Sequence, residues 1–329
     1  MTLPDEWIWA GKSPHRGQQT AAVVGVNPAT LETRRIELGF LPHEVAVSPT
    51  RSAIAVVTMK WGQPGAIIDL DKQKVLGALT SPDKTQFYGH AVWSDDGETF
   101  YCVAHNEVNQ KGEILAYSTK TFSLVNRIEL TGGKPHQIRK SEEKNQVIVI
   151  NKTSPVNTSR IDFVNIASGR VTKSQDLQPL SFYHFAYSTH QKRVLAGGYT
   201  GQIPFLGQSL LASLNDHEVQ EIEIPKVDSE PVKGETLSLN LGTVGGREVL
   251  ALTIAGGKFF ALYDIQKNKF LQTSNSFVAP MGIDFSKRSP NILYVSDSGG
   301  DIHIFDISQG PFRLLKTLAL GDGSHLTVA

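Results

Sequence analysis

Four short phrases in this chain place a histidine at the head of an alternating run: His43 in LPHEVAVSP, His90 in YGHAVWSDD, His136 in KPHQIRKSE and His184 in FYHFAYSTH. The chain has only ten histidines, and these four follow one another at intervals of 47, 46 and 48 residues. The phrase returns as GETLSLNLG, with Thr236 or Leu237 at the histidine position, then as APMGIDFSK with Met281, and last as GSHLTVA with His325. A neutral imidazole is a good donor to iron, copper, zinc and nickel. Five of them brought to one place would hold a transition metal without neutralising it, so His43, His90, His136, His184 and His325 are the predicted metal ligands. The single cysteine, Cys102 in FYCVA, argues against a thiolate zinc or iron–sulfur site and is predicted to be a buried small hydrophobe. Redox-active iron or copper is the expected cofactor. Glu44, directly after His43, either orients a ligand histidine or points between neighbouring elements.

The elements that must position these residues are strands. A period of 46 to 48 residues falls within the roughly 40 to 50 residues of a propeller blade. Each unit carries four runs of strand character, for example HAVWS, TFYCVAH, GEILAYS and LVNRIEL, with DDG and QKG as turn signals between them. The last copy stops after its first run, and the N-terminus supplies three runs with no histidine phrase: EWIWAG, AAVVGVN and TRRIEL. The expectation is therefore an all-β, seven-bladed β-propeller of YVTN or WD type over residues 1–329, one domain. Its ring would be closed by the N-terminal strands together with the C-terminal strand, leaving only short protected edges. The innermost strands would bring the histidines to the mouth of a central channel. Long connections in the first four units, MKWGQPG, HNEVNQKG, NKTSPVNTS and GYTGQIPFLG, would wall a cleft there, with Trp61, His105, Glu107, Tyr199 and Met281 lining the ligand face. His303 in DIHIFDI is expected on the solvent side or between blades.

Histidines near this point of WD repeats also serve a hydrogen-bonded network inside each blade. That network needs a later Asp and a Trp-Asp ending, whereas these units end in IIDL, LAYS, FVNI and LYDI. Lys plus Arg and Asp plus Glu each number 32, so no field exists to draw nucleic acid or an anionic membrane. No apolar run approaches the ~18 residues that cross a bilayer. The first residues, MTLPDEWIWAGKSPHRG, lack the basic and apolar regions of a signal peptide, which suits a mature, soluble form, and a monomer is expected. No nucleophile elbow, P-loop or His-Glu-x-x-His pattern is present, and the glycine pairs in GTVGGRE and SDSGGDI read as turns.

The phrases LPHEVAVSP, YGHAVWSDDGETFYCVAHNEVNQKGEILAYS, KPHQIRKSEEKNQVIVIN and YHFAYS resemble a bacterial propeller family known as domain of unknown function fifteen-thirteen. The resemblance extends over nearly the whole chain and includes the loop from His105 to Gly112. It implies an exported, periplasmic protein with a role in iron or copper handling, encoded beside imelysin-like iron-regulated proteins and di-haem oxidoreductase-like proteins. The family's pattern is missing at the fifth unit, which has no histidine. A looser similarity to YVTN and lactonase-type propellers is visible in HEVAVSPTRSAIAVVT. Three functions stay open: a metal site in metal handling or metal-dependent redox chemistry, an interaction scaffold whose histidines pack the channel mouth, and a lactonase-like hydrolase. In each, a metal ion or small molecule at the channel, or an iron-handling or haem protein, is the expected partner.

Overall fold

Runs rich in Val, Ile, Leu and aromatic residues, three to nine residues long and cut by Gly, Asn, Asp or Ser, make strands and no helix among the described residues. The computed structural model describes residues 2–12, 20–153, 158–177, 181–201, 206–215, 218–275, 279–319 and 325–329. Strands are numbered along the chain. The first sheet contains β1 (Ile8–Lys12), β2 (Ala21–Val26), β3 (Thr33–Leu38) and the last strand, β28 (Leu326–Val328), in the order β28-β1-β2-β3. Next come β4 (Pro42–Val47), β5 (Ile54–Gly62), β6 (Pro64–Asp69) and β7 (Lys74–Thr80), then β8 (Thr85–Trp93), β9 (Thr99–Asn106), β10 (Lys111–Ser118) and β11 (Leu124–Glu129). Four further antiparallel meanders follow. They are β12 (Lys134–Lys140), β13 (Gln146–Thr153), β14 (Thr158–Asn165) and β15 (Arg170–Asp176); β16 (Phe182–Ser188), β17 (Arg193–Tyr199), β18 (Ser209–Leu214) and β19 (Val219–Glu221); β20 (Thr236–Val244), β21 (Arg247–Ile254), β22 (Phe259–Asp264) and β23 (Lys269–Ser274); and β24 (Pro280–Phe285), β25 (Ile292–Asp297), β26 (Asp301–Asp306) and β27 (Arg313–Ala319).

The all-β, propeller-type expectation meets a correction in the number of blades. Five blades stand as separate four-stranded sheets, not seven. The strands β4 to β11 form one eight-stranded sheet, because β5 and β8 pair with each other through Lys60 opposite Tyr88 and Gly62 opposite Phe87. Both strands are nine residues long and run past their own hairpins, so backbone groups that would end at an edge are satisfied by the neighbour. The segment MKWGQPG, which reads as a long loop, is instead the end of β5 and the start of β6 with a single residue between them.

The strands are divided between two compact units. One comprises Met1–Ile8, Val26–Glu32 and Pro179–Val328; the other comprises Trp9–Gly25, Thr33–Gln178 and Ala329. In the second unit the core contains Val56, Ile67 and Leu79, packed with Phe87, Trp93, Phe100, Cys102 and Tyr117. Phe100 and Tyr117 stack with ring centroids 5.5 Å apart, and the Trp93 indole N–H donates to the Ala46 carbonyl at 2.8 Å. In the first unit Leu195 and Leu211 pack with Leu239, Leu250, Leu252 and Tyr263. Each such fully buried side chain contributes about 1.5–3 kcal/mol, enough for the sheets to hold one another by their faces.

Candidate metal site

Four of the five predicted histidines, His43, His90, His136 and His184, and the corresponding positions Thr236 and Met281 coincide with an irregularity in strand pairing. In β4 the register shifts between Pro42 and Val45, leaving His43 and Glu44 outside the ladder, and in β8 it shifts between Phe87 and Ala91, around His90. In β12 it shifts between Pro135 and Gln137, so His136 is the extra residue. The same break falls between Phe182 and His184, between Thr236 and Ser238, and between Pro280 and Ile283. A bulge bends its strand and re-aims one side chain. The proline or glycine before several of these positions suits that geometry, since neither is well placed in a regular ladder. The repeated phrase is thus the sequence of a bulge.

The bulges of β4, β8 and β12 bring three imidazoles together. His43 and His90 lie with ring centroids 4.8 Å apart and planes at 80°, His90 and His136 at 5.6 Å and 45°, and His43 and His136 at 6.4 Å and 88°. One nitrogen of each lies within 4.8 Å of the others; His90 and His136 are buried and His43 is half-buried. Nitrogens that share an ion at about 2.0–2.1 Å stand about 3–4 Å apart, so rotations of roughly 1 Å would close the set on a metal. Three neutral imidazoles suit a borderline transition ion. The donor set therefore fits.

Glu44 does orient a histidine. Its Oε2 accepts from His90 Nδ1 at 3.0 Å, and its Oε1 accepts from Arg139 Nη1 at 3.0 Å. An ionised carboxylate is acceptor-only, so His90 carries its proton on Nδ1 and presents the Nε2 lone pair. Burial holds the His90 pKa below the usual imidazole value; Glu44 opposes that shift, and the charges of Arg139 and Lys60 add to it. The neutral, ligating form is favoured. Gly89 makes the close approach possible: at φ +93°, a Cβ there would fall 2.5 Å from the His43 Cβ.

The remaining predicted residues are placed as follows. His184 and His325 lie together in the other unit with centroids 5.3 Å apart, and His184 Nδ1 is 3.9 Å from Glu235 Oε1. Met281 is half-buried, and its carbonyl accepts from Thr253 Oγ1 at 2.6 Å. Trp61 is exposed at φ +62°, with Lys60 Nζ 5.0 Å from its ring centre. Its side chain is hydrogen-bonded to Tyr88, whose hydroxyl burial pushes up to about 12. His105 is buried, edge-on to Tyr88 at 6.2 Å. Glu107 is exposed and accepts from Gln86 at 2.7 Å. Tyr199 is buried and stacked on Tyr183 at 5.0 Å, so it packs rather than lining an open face. Residues 154–157 and 202–205 of the third and fourth connections lie outside the described residues. His303 is half-buried, its Nε2 2.9 Å from Asp297 Oδ2 and its Nδ1 3.1 Å from Thr317 Oγ1. Sequence reasoning did not single out Arg139 or Lys60. Their only signal would have been position: Arg139 stands three residues after His136 in KPHQIRKSE, and Lys60 lies in MKWGQPG.

Strand order and bulged histidines together define an all-β protein of propeller blades with an imidazole cluster on successive first strands. The chain belongs to the family described as "Protein of unknown function (DUF1513)", which matches residues 37–309. A comparison with curated proteins finds none that matches. Among solved structures, a protein from Lactobacillus plantarum is similar at 14% identity and TM-score 0.70, covering 98% of this chain and 99% of that one. A chain of a mitotic checkpoint complex is similar at 11% identity and TM-score 0.64, covering 87% and 83%. A chain of the hydrazine synthase of Kuenenia stuttgartiensis is similar at 16% identity and TM-score 0.53, covering 92% and 82%. At such identities the likeness concerns the fold alone.

Proposed function

We propose that this protein binds a redox-active transition-metal ion, iron or copper, through His43, His90 and His136, and works in metal handling or metal-dependent redox chemistry. One observation carries the reading: three imidazoles on β4, β8 and β12 converge to within 4.8 Å, and one of them is oriented by a buried carboxylate. A bound ion would supply an electron-transfer or Lewis-acid centre. The chain's own residues favour the neutral form of His90, fix its tautomer through Glu44, and keep His90 and His136 buried. The phrases that carry the family resemblance support a periplasmic setting, with iron-handling or haem proteins as partners.

Elemental analysis tests this directly. Protein purified without a histidine tag is dialysed against metal-free, iron(II) and copper(II) buffers and compared with the His90→Ala, His136→Ala double variant. The expected result is near-stoichiometric iron or copper in the wild type and its loss in the variant. No metal in either protein under all three conditions overturns the reading.

A further inference from the structure

The meander β24 to β27 gathers a separate set of metal-ligating groups at one end of its sheet. β25 closes at Asp297 and β26 opens at Asp301, across a turn of Ser298, Gly299 and Gly300 in which Gly300 takes φ +95°. Strand pairing sets Val295 and Thr317 opposite His303, and Ala319 opposite Asp301. Side chains two residues apart share a face of a strand, so Asp297, Asp301, His303 and Thr317 all stand on the same face.

Their polar atoms meet there. Asp297 is buried, and its Oδ1 accepts from the Gly299 and Asp301 amides at 2.8 and 3.1 Å, which fixes the carboxylate and leaves Oδ2 facing His303 Nε2 at 2.9 Å. The other ring nitrogen, Nδ1, lies 3.1 Å from Thr317 Oγ1. One ligand atom from each of Asp297, Asp301 and His303 lies within 4.8 Å of the other two. The Asp297 and His303 atoms are already at about the separation of two atoms that share an ion, and a side-chain shift of roughly 1 Å brings Asp301 to them.

An imidazole distinguishes this group from an acidic turn. The His303 side chain is only 15% exposed, its Nε2 is aimed at the carboxylates, and a hydroxyl supports the ring from behind. A hydroxyl both donates and accepts, so Thr317 suits either tautomer: with Nε2–H donating to Asp297 it donates to Nδ1, and with an ion at Nε2 it accepts the Nδ1 proton. The group paired with Asp297 is that imidazole and not a lysine or arginine. A neutral ring leaves two carboxylates close together in a partly dehydrated place, a repulsion that a divalent ion offsets. Two carboxylate oxygens with one imidazole make a harder donor set than three imidazoles and a softer one than the all-oxygen cage of calcium.

We infer that Asp297, Asp301 and His303 form a second metal site, for a divalent ion of the manganese(II) or zinc(II) class, with Thr317 as the residue that positions the imidazole. It shares no residue with the three-imidazole cluster and does not depend on the function proposed for it.

Manganese(II) is the probe, because its paramagnetic resonance signal in solution is lost on binding and because it stands lowest in the divalent series for a given nitrogen site. The full chain is titrated as wild type, Asp301→Asn, His303→Gln and the His90→Ala, His136→Ala double variant, and variants that keep the wild-type circular dichroism are scored. Expected are saturable binding of one equivalent in the wild type, displaced by zinc(II) but not by equimolar calcium, and the same binding in the double variant. Binding is expected to weaken by about tenfold or more in Asp301→Asn and in His303→Gln, since loss even of a partner that orients a ligand costs that much. No saturable manganese in the wild type, equal affinity in either folded single variant, displacement by calcium as readily as by zinc, or loss of the manganese in the folded double variant overturns the inference.

Discussion

Glu44 separates a histidine that merely packs from one prepared to ligate. By accepting the Nδ1 proton of His90 it selects a tautomer, and by accepting from Arg139 it keeps its own charge in a buried place. Glu44→Gln is therefore expected to fold and to lose about 10–100-fold in metal affinity, read by titration against a competing chelator. Gly89 is the second decisive position. A methyl group there meets the His43 side chain at 2.5 Å on a backbone that already needs positive φ. Gly89→Ala is expected to cost about 1–3 kcal/mol in urea unfolding and to reduce metal retention, since His43 must move. The histidines themselves were legible from spacing. The partner of Glu44 was not, because Arg139 lies 95 residues further along and comes close only after successive meanders pack side by side.

At the scale of the element, two devices recur. One is the bulge in the first strand; the other is a side-chain oxygen at the end of each third run, accepting from the turn that follows. Asp69 accepts from the Lys72 amide at 2.8 Å, and Asn165, Asp264 and Asp306 accept from Ser168, Lys267 and Ser308 at 2.9 Å. Asn27 and Asn215, one residue beyond their strands, do the same with Ala29 and Glu218 at 2.9 Å. The endings IIDL, FVNI and LYDI, which fail the Trp-Asp pattern, are thus turn caps. Asp306 shows the consequence for pH. The Ser308 hydroxyl and amide, helped by Arg313 and opposed by burial, hold its carboxyl below the usual value. A lowered folded-state pKa contributes stability above the unfolded value of about 4, which is lost as pH falls through the folded one. Asp306→Asn is expected to lower the urea midpoint near pH 6, and the gap to the wild type should close towards pH 2. The sequence displayed the turns but not the strand lengths. MKWGQPG looks like a loop because Gly and Pro punctuate it, yet Lys60 and Gly62 pair with β8 on either side of a bulge at Trp61, which carries β5 on to Gly62.

For the whole molecule, composition and period were enough to predict strands throughout and blade-like meanders, since each hairpin is local and its signals lie within about ten residues. The blade count was not legible. Five separate four-stranded blades and one sheet of eight strands result from two residue pairs between β5 and β8, contacts that leave no periodic trace. That pairing is open to hydrogen exchange. Amides where Lys60–Gly62 meet Phe87–Tyr88 are expected to exchange more slowly than those of the turn at Gly256 and Gly257, measured by mass spectrometry of the native protein.

Cys102 lies in β9 with no exposed surface, and burial raises its thiol pKa far above the usual range. The folded surface is therefore silent towards maleimides. Cys102 should label only on denaturation, which makes dye uptake a direct count of unfolded molecules. It also leaves room for a single engineered surface cysteine to carry a spin label or fluorophore with no competing site, so a paramagnetic ion held by His43, His90 and His136 could be ranged from any chosen blade.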